Sequence, residues 1–240
     1  MTILNKKNKP PAGKIKVIRE IPMNNFETNL TAALFLAAAS MLYFGWILLP
    51  AKIGSYFVPT DFAAVRTRRR LWIWLYRIYL FGYVAAVMAF VALATLVTDP
   101  AARIIVWPAV VILDAGLVIT ALAYAFYYHF GAWGSLDMEG KSGEDIQKFI
   151  DSLRVSTEYM TCWVRFGRIF IGAGQLAFIL GLLLQKGPWP TWLIVSGGVL
   201  GLAGIALTLE WPDNLDYYKP LFFLDVLWLA ILGVALLALS

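Results

Sequence analysis

Six separate stretches of this 240-residue chain stay apolar for about the length of a bilayer crossing, and that repetition limits the fold more than any motif does. They are Leu30–Leu49, Leu71–Val97, Ile104–Phe130, Phe166–Leu184, Trp192–Leu209 and Leu221–Leu239. About 20 residues at ~1.5 Å rise per residue cross the ~30 Å hydrocarbon layer. Lipid offers the backbone no hydrogen bonds, so a spanning segment must be a helix or part of a closed barrel. The runs are continuous and not alternating in polarity, which argues against a barrel. Pro50, Pro100, Pro188, Pro190, Pro212 and Pro220 punctuate their ends. The expected fold class is all-α, a polytopic integral membrane protein with a six-helix transmembrane domain over residues 30–240 behind a basic N-terminal tail over 1–29.

Composition agrees. Hydrophobic residues make up 60% and charged residues 15% of the chain, against about 25% charged in a soluble domain. The net charge is +5, and the first 27 residues supply six Lys/Arg against Glu20 and Glu27, or +4 of it. The basic balance therefore describes a tail and not a nucleic-acid surface. One cysteine, Cys162, excludes a disulfide within the chain, and one histidine, His129, excludes a bis-histidine haem supplied by this chain alone. No secretory signal is expected at the N-terminus, because polar or mixed residues precede the first apolar run and no small-residue cleavage site follows it. There is no Walker A motif, no zinc-type His/Glu spacing and no lysine central to an apolar run, so no cofactor is specified.

Two connections carry their own pattern. Ser142 with Asp145 three residues on forms a capping-box-like start, followed by Ile146, Phe149, Ile150 and Leu153 at helical spacing. This predicts a short amphipathic helix over Ser142–Arg154, between the third and fourth spans, which can lie on the membrane or a partner and by preference packs on the protein's own helix ends. Arg66, Arg68, Arg69 and Arg70 stand directly before Leu71, Trp72, Ile73 and Trp74, an interfacial anchor. The positive-inside rule pulls both flanks of the first run towards the cytoplasm, so the charges alone favour neither orientation. Nothing specifies which membrane is occupied.

Asp114 lies near the middle of the third run, where an ionised carboxylate costs about 3 kcal/mol on insertion scales. No Lys or Arg is predicted at its depth, which leaves Gln175 and Thr120 as hydrogen-bonding candidates and suits either helix-to-helix glue or a proton carrier. Arg77, Arg168 and Asp225 are expected at one level, roughly 5 to 9 Å below the face that bears the long connections. His129, with Tyr127 and Tyr128, ends the third run on that same face. Either a shared polar cluster pairs Asp225 with Arg77 or Arg168, or each arginine snorkels to the interface and Asp225 caps the local backbone. Glu210, Asp213 and Asp216 gather in one connection, but three donors fall short of a calcium shell and a solvated turn is expected. The stripe Trp72, Tyr76 and Tyr79 reads as packing or lipid-facing surface.

Gly197, Gly201 and Gly204 give the fifth run a small-residue face that lets another helix approach closely, and Gly167, Gly172, Gly174 and Gly181 repeat the theme in the fourth. Ser196 opens a seven-residue stretch, Ser-Gly-Gly-Val-Leu-Gly-Leu, that resembles the nucleophile region of rhomboid proteases. Such a serine needs its base on a later helix, whereas the single histidine lies upstream.

The functional expectation is a non-catalytic integral membrane subunit of a larger complex, contacting the lipid bilayer and other membrane protein subunits but no nucleic acid. The alternative is a small transporter or channel with an intramembrane Asp/Arg polar path, proton-coupled through Asp114. An enzyme using Asp114 or Asp225 as general acid ranks last, for want of a nucleophile or cofactor ligand.

Overall fold

A computed structural model describes residues 25–47, 67–185, 189–211 and 215–240. The expected basic tail up to residue 24, the connection with Lys52 and Arg66, and Pro50, Lys186, Pro188, Pro212, Asp213 and the Asp216 side chain lie outside the described residues. Among the described residues six helices are long and apolar enough to cross a membrane, which by length and composition points to a multi-pass membrane protein. There are no strands among the described residues. The helices are α1 (Asn25–Ile47), α2 (Arg69–Thr95), α3 (Pro100–Tyr127), α4 (Gly143–Leu184), α5 (Thr191–Glu210) and α6 (Leu215–Leu239).

Local chemistry sets the boundaries. Asp99 caps α3 by accepting from Ala101 N at 2.8 Å and Ala102 N at 3.2 Å, and Pro100 fills the first helical position, where its missing N–H costs nothing. The helix thus starts four residues before Ile104. At its other end the ladder widens into a π-helical segment, Tyr128–Trp133, followed by a single turn, Gly134–Asp137. Gly140, at φ 72°, then takes the left-handed conformation that turns the chain towards α4. Pro220 does not begin α6 but sits inside it, as Pro108 sits inside α3. A proline removes one backbone bond, which a membrane helix packed among neighbours tolerates.

The expected short amphipathic helix is the opening of α4 and not an element of its own. Ser142 caps it, its hydroxyl accepting from Asp145 N at 3.2 Å and donating to Asp145 Oδ2 at 2.8 Å. From there to Gly167 no Pro or further Gly beyond Gly143 interrupts the sequence, so the helix runs on through 42 residues. At about 63 Å it is twice the hydrocarbon thickness. Leu153 is buried, and Ile146, Phe149 and Ile150 pack on the core, with Phe149 lying against Gly134. The opposite side carries i,i+4 pairs, Lys148–Glu144 at 2.7 Å and Arg154–Glu158 at 3.3 Å, in keeping with water on that face. Replacing the cap by Ser142→Ala is expected to weaken this first turn by about 1 kcal/mol, accelerating amide exchange there roughly fivefold. Unchanged exchange at Asp145 to Phe149 would mean that packing alone holds the arm.

Each helix packs on its neighbours in sequence, and α6 returns to α1, closing a ring of six. The most extensive interface joins α3 to α4. Gly116 meets Gly167, Leu113 meets Gly174 and Val106 meets Gly181, so three glycines spaced by seven let two antiparallel backbones nearly touch. Two aromatic layers fill the ring. Trp46, Tyr79, Tyr83, Tyr124 and Phe222 lie towards the long-connection face, with Trp46 and Phe222 4.9 Å apart and Tyr79 and Tyr124 4.6 Å apart. Phe35, Phe90, Phe178 and Trp228 lie deeper, around Phe90.

Candidate functional site

Between these layers is a cavity of about 60 Å³ walled by α1, α2, α3, α4 and α6. Leu42, Tyr83, Phe90, Leu113, Leu117 and Trp228 make most of it apolar, and Gln175, Asp225 and Tyr218 bring the polar groups. A water needs roughly 10–15 Å³ of such space, so a few waters or one small ion fit and an organic solute does not.

The polar groups follow a register that the ring topology imposes. Alternating spans make α4 and α6 parallel, so residues seven apart on each helix form rungs about 10 Å apart. On the outer rung the Arg168 guanidinium lies 3.6 Å above the Tyr218 ring. On the inner rung Gln175 hydrogen-bonds the Asp225 carboxyl. Arg168 and Gln175 are 5% and 4% exposed, so neither can snorkel to water. Asp225 Oδ1 is buried with no hydrogen-bond partner among the described residues, beside the cavity that its residue lines. A buried acceptor left unmatched is costly unless something outside the chain matches it.

The structure brings only part of the expected cluster together. Arg168 and Asp225 belong to neighbouring rungs and not to one level. Counting depth from Leu221 misplaces Asp225, because α6 begins six residues earlier, at Leu215. Arg77 is elsewhere, its Nε donating to Tyr128 Oη at 3.1 Å and its guanidinium 5.4 Å from the Trp74 ring. The π segment presents Tyr128 to it, while His129 in the same segment is exposed and touches Phe130. Tyr76 and Tyr79 are core residues.

Asp114 does not line the cavity. Neither expected partner reaches it. Thr120 Oγ1 donates to the Gly116 carbonyl at 2.8 Å inside its own helix, and Gln175 is turned to Asp225. The glycines of α5 are used within the chain. Gly197 receives the Trp228 ring, Gly201 meets the backbone of Gly172, and Gly204 has only ordinary contact with Leu221 at 3.7 Å. Trp228 Nε1 donates to the Leu193 carbonyl at 2.9 Å, fixing α6 to α5. Ser196 Oγ donates to that same carbonyl at 2.9 Å. It sits near the start of α5, at the opposite end of the bundle from His129. Among the described residues no group of acidic, histidine or cysteine side chains is arranged to hold a metal.

No protein-family model matches the chain, and no match was found among curated proteins or solved structures. Function is therefore read from the chemistry of the site itself.

Tyr218 and Trp228 are the site residues that sequence reasoning missed. The signal for Tyr218 was the shared spacing of seven in Arg168/Gln175 and Tyr218/Asp225, visible only once α4 and α6 are known to run parallel.

Proposed function

We propose that this chain is a small membrane transporter or channel in which Asp225, held by Gln175, carries a proton or a small cation between the two faces of the bundle. The observation that supports it is the unmatched, buried Asp225 Oδ1 beside a cavity with room for a few waters. Intramembrane carboxylates that face an interior space are the usual means by which membrane proteins hold protons and ions. Arg168 and Tyr218 stand one rung outside, between this carboxyl and the long-connection face. Asp114 has no part in this path.

The test is flux in proteoliposomes containing the purified chain and a pH-sensitive dye, with potassium or sodium gradients run in parallel. Wild type is expected to pass protons or one of these cations. Asp225→Asn, which keeps the size and the Gln175 contact, should lower the rate at least about tenfold, a barrier change of about 1.4 kcal/mol. Exposed Glu158→Gln should leave it unchanged. No flux from wild type, or equal flux from Asp225→Asn, defeats the reading.

A second reading, a non-catalytic subunit of a larger membrane assembly, is favoured by one feature. About half of α4 stands beyond the bilayer, with Val155 and Tyr159 exposed on it. It ranks second because the glycine faces of α4 and α5, the small-residue surfaces that the sequence singled out for close helix approach, are occupied within the chain.

A further inference from the structure

Asp114 and Asp225 stand at about the same depth in opposite settings. Leu113 packs on Gly174, which precedes Gln175, the partner of Asp225. Leu113 faces the cavity, and Asp114 follows it about 100° around the axis of α3. It therefore sits at the outer edge of the bundle, half-buried, among Val111, Ala115, Val118 and Leu122, all of them exposed and apolar. Its Oδ1 is buried, and no hydrogen bond or ion pair reaches it among the described residues.

A carboxyl at mid-membrane on a lipid-facing edge needs a counterpart. This chain's described surface offers none at that depth. Arg103 lies eleven residues away, about 16 Å towards one face, and Arg77 and Arg168 lie towards the other. A second copy would bring Asp114 itself in a two-fold contact, and in any other contact has no Lys or Arg at that depth among the described residues. We infer that the outer face of α3 around Asp114 is an intramembrane docking surface for a transmembrane helix of a different chain, one that carries a lysine or arginine at mid-membrane and pairs it with the Asp114 carboxylate. Val111, Ala115 and Val118 surround the pair with apolar surface, and Ala115 allows the incoming backbone to come near. This goes beyond the ion-carrying role of Asp225 and does not depend on it.

The experiment uses the full, tagged chain in its native membranes, extracted in mild detergent. Native mass and a photo-crosslinker at Val118 are the two readouts. The expected mass exceeds 26.8 kDa by that of one other polypeptide. Crosslinks should fall within a turn of a Lys or Arg inside one of that polypeptide's spans. Asp114→Leu should lower its recovery at least about tenfold, or about 1.4 kcal/mol, while Asp114→Glu retains it. Should Asp114→Leu lose its monodisperse elution, Asp114→Asn, equal in size, takes the same readout. The inference is overturned if wild type runs alone or with copies of itself, if crosslinks reach only lipid, or if the partner is recovered undiminished without the carboxylate. Flux through Asp225, read in liposomes without a partner, fails or succeeds separately.

Discussion

Gly174→Val is expected to leave little correctly folded protein in the membrane. A side chain at Gly174 has nowhere to go, because it would meet the backbone of Leu113, with the Leu113 Cα only 2.6 Å from the added Cβ. Backbone cannot rotate aside as a side chain can. The two helices would have to part, and Gly167 and Gly181 also hold them close two turns to either side. Overpacking a tight core costs about 1–3 kcal/mol and occasionally more, and the upper part of that range applies when a rigid interface must open. Separation would also loosen Leu113 and Leu117 in the cavity wall. Gly198→Ala is the control, since its added methyl meets Ile179 Cγ2 at 3.5 Å, an ordinary contact. Unfolding in mixed detergent should place Gly174→Val well below wild type and Gly198→Ala close to it. Equal stability of the two variants would show that α3 and α4 are not locked by their glycines.

That glycine register marks the limit of what the sequence disclosed. Six spans were legible because length and continuous apolarity are enforced by the bilayer, whatever the helices touch. Boundaries were less so. Prolines were read as terminators, yet Pro100 starts α3 and Pro220 lies inside α6, because a proline is harmless near a helix start and tolerable within a membrane helix. The depth of Asp225 was misjudged by that same step. Close packing of the fourth and fifth spans was expected from their glycines, and Gly172 against Gly201 provides it. Gly167, Gly174 and Gly181, however, serve α3, whose matching residue Gly116 stands alone in its sequence. The pairing of Gln175 with Asp225 instead of Asp114 is a property of the ring. Both carboxylates lie in apolar runs, and packing decides between them: Leu113 seated on Gly174 turns Asp114 outward, while Asp225 on α6 meets Gln175 and the cavity.

Trp228→Ala should be the next most damaging change, because one side chain both packs and hydrogen-bonds across the α5–α6 junction. The Trp228 ring fills the space left by Gly197, lies near-parallel to Phe90 at 6.4 Å, and forms part of the cavity wall below Asp225. Truncating a buried tryptophan in a soluble core costs about 3–5 kcal/mol, part of it the transfer of apolar surface from water. Lipid tails are as apolar as the core, so that part is missing here and the lost packing remains. A loss of about 3 kcal/mol, the lower end of that range, is therefore expected. The indole bond contributes less. Leu193 O still accepts from Ser196 Oγ when Nε1 is gone, and a hydrogen bond between membrane helices is worth about 0.6 kcal/mol on average. Trp228→Phe keeps a ring beside Phe90 but gives up the indole bond together with the Cε2 and Cζ2 atoms that lie on Gly197, so it should cost about 1–2 kcal/mol, less than Trp228→Ala, and denaturation of the purified variants distinguishes the two. Equal losses would assign the junction to the Gly197 contact and the indole bond together, and not to the ring on Phe90. The larger void in Trp228→Ala would also join the cavity beside Asp225 and admit more water to it. If Asp225 carries ions, this variant should therefore leak faster per folded molecule even as it unfolds more readily, a pairing that a purely structural carboxyl would not produce.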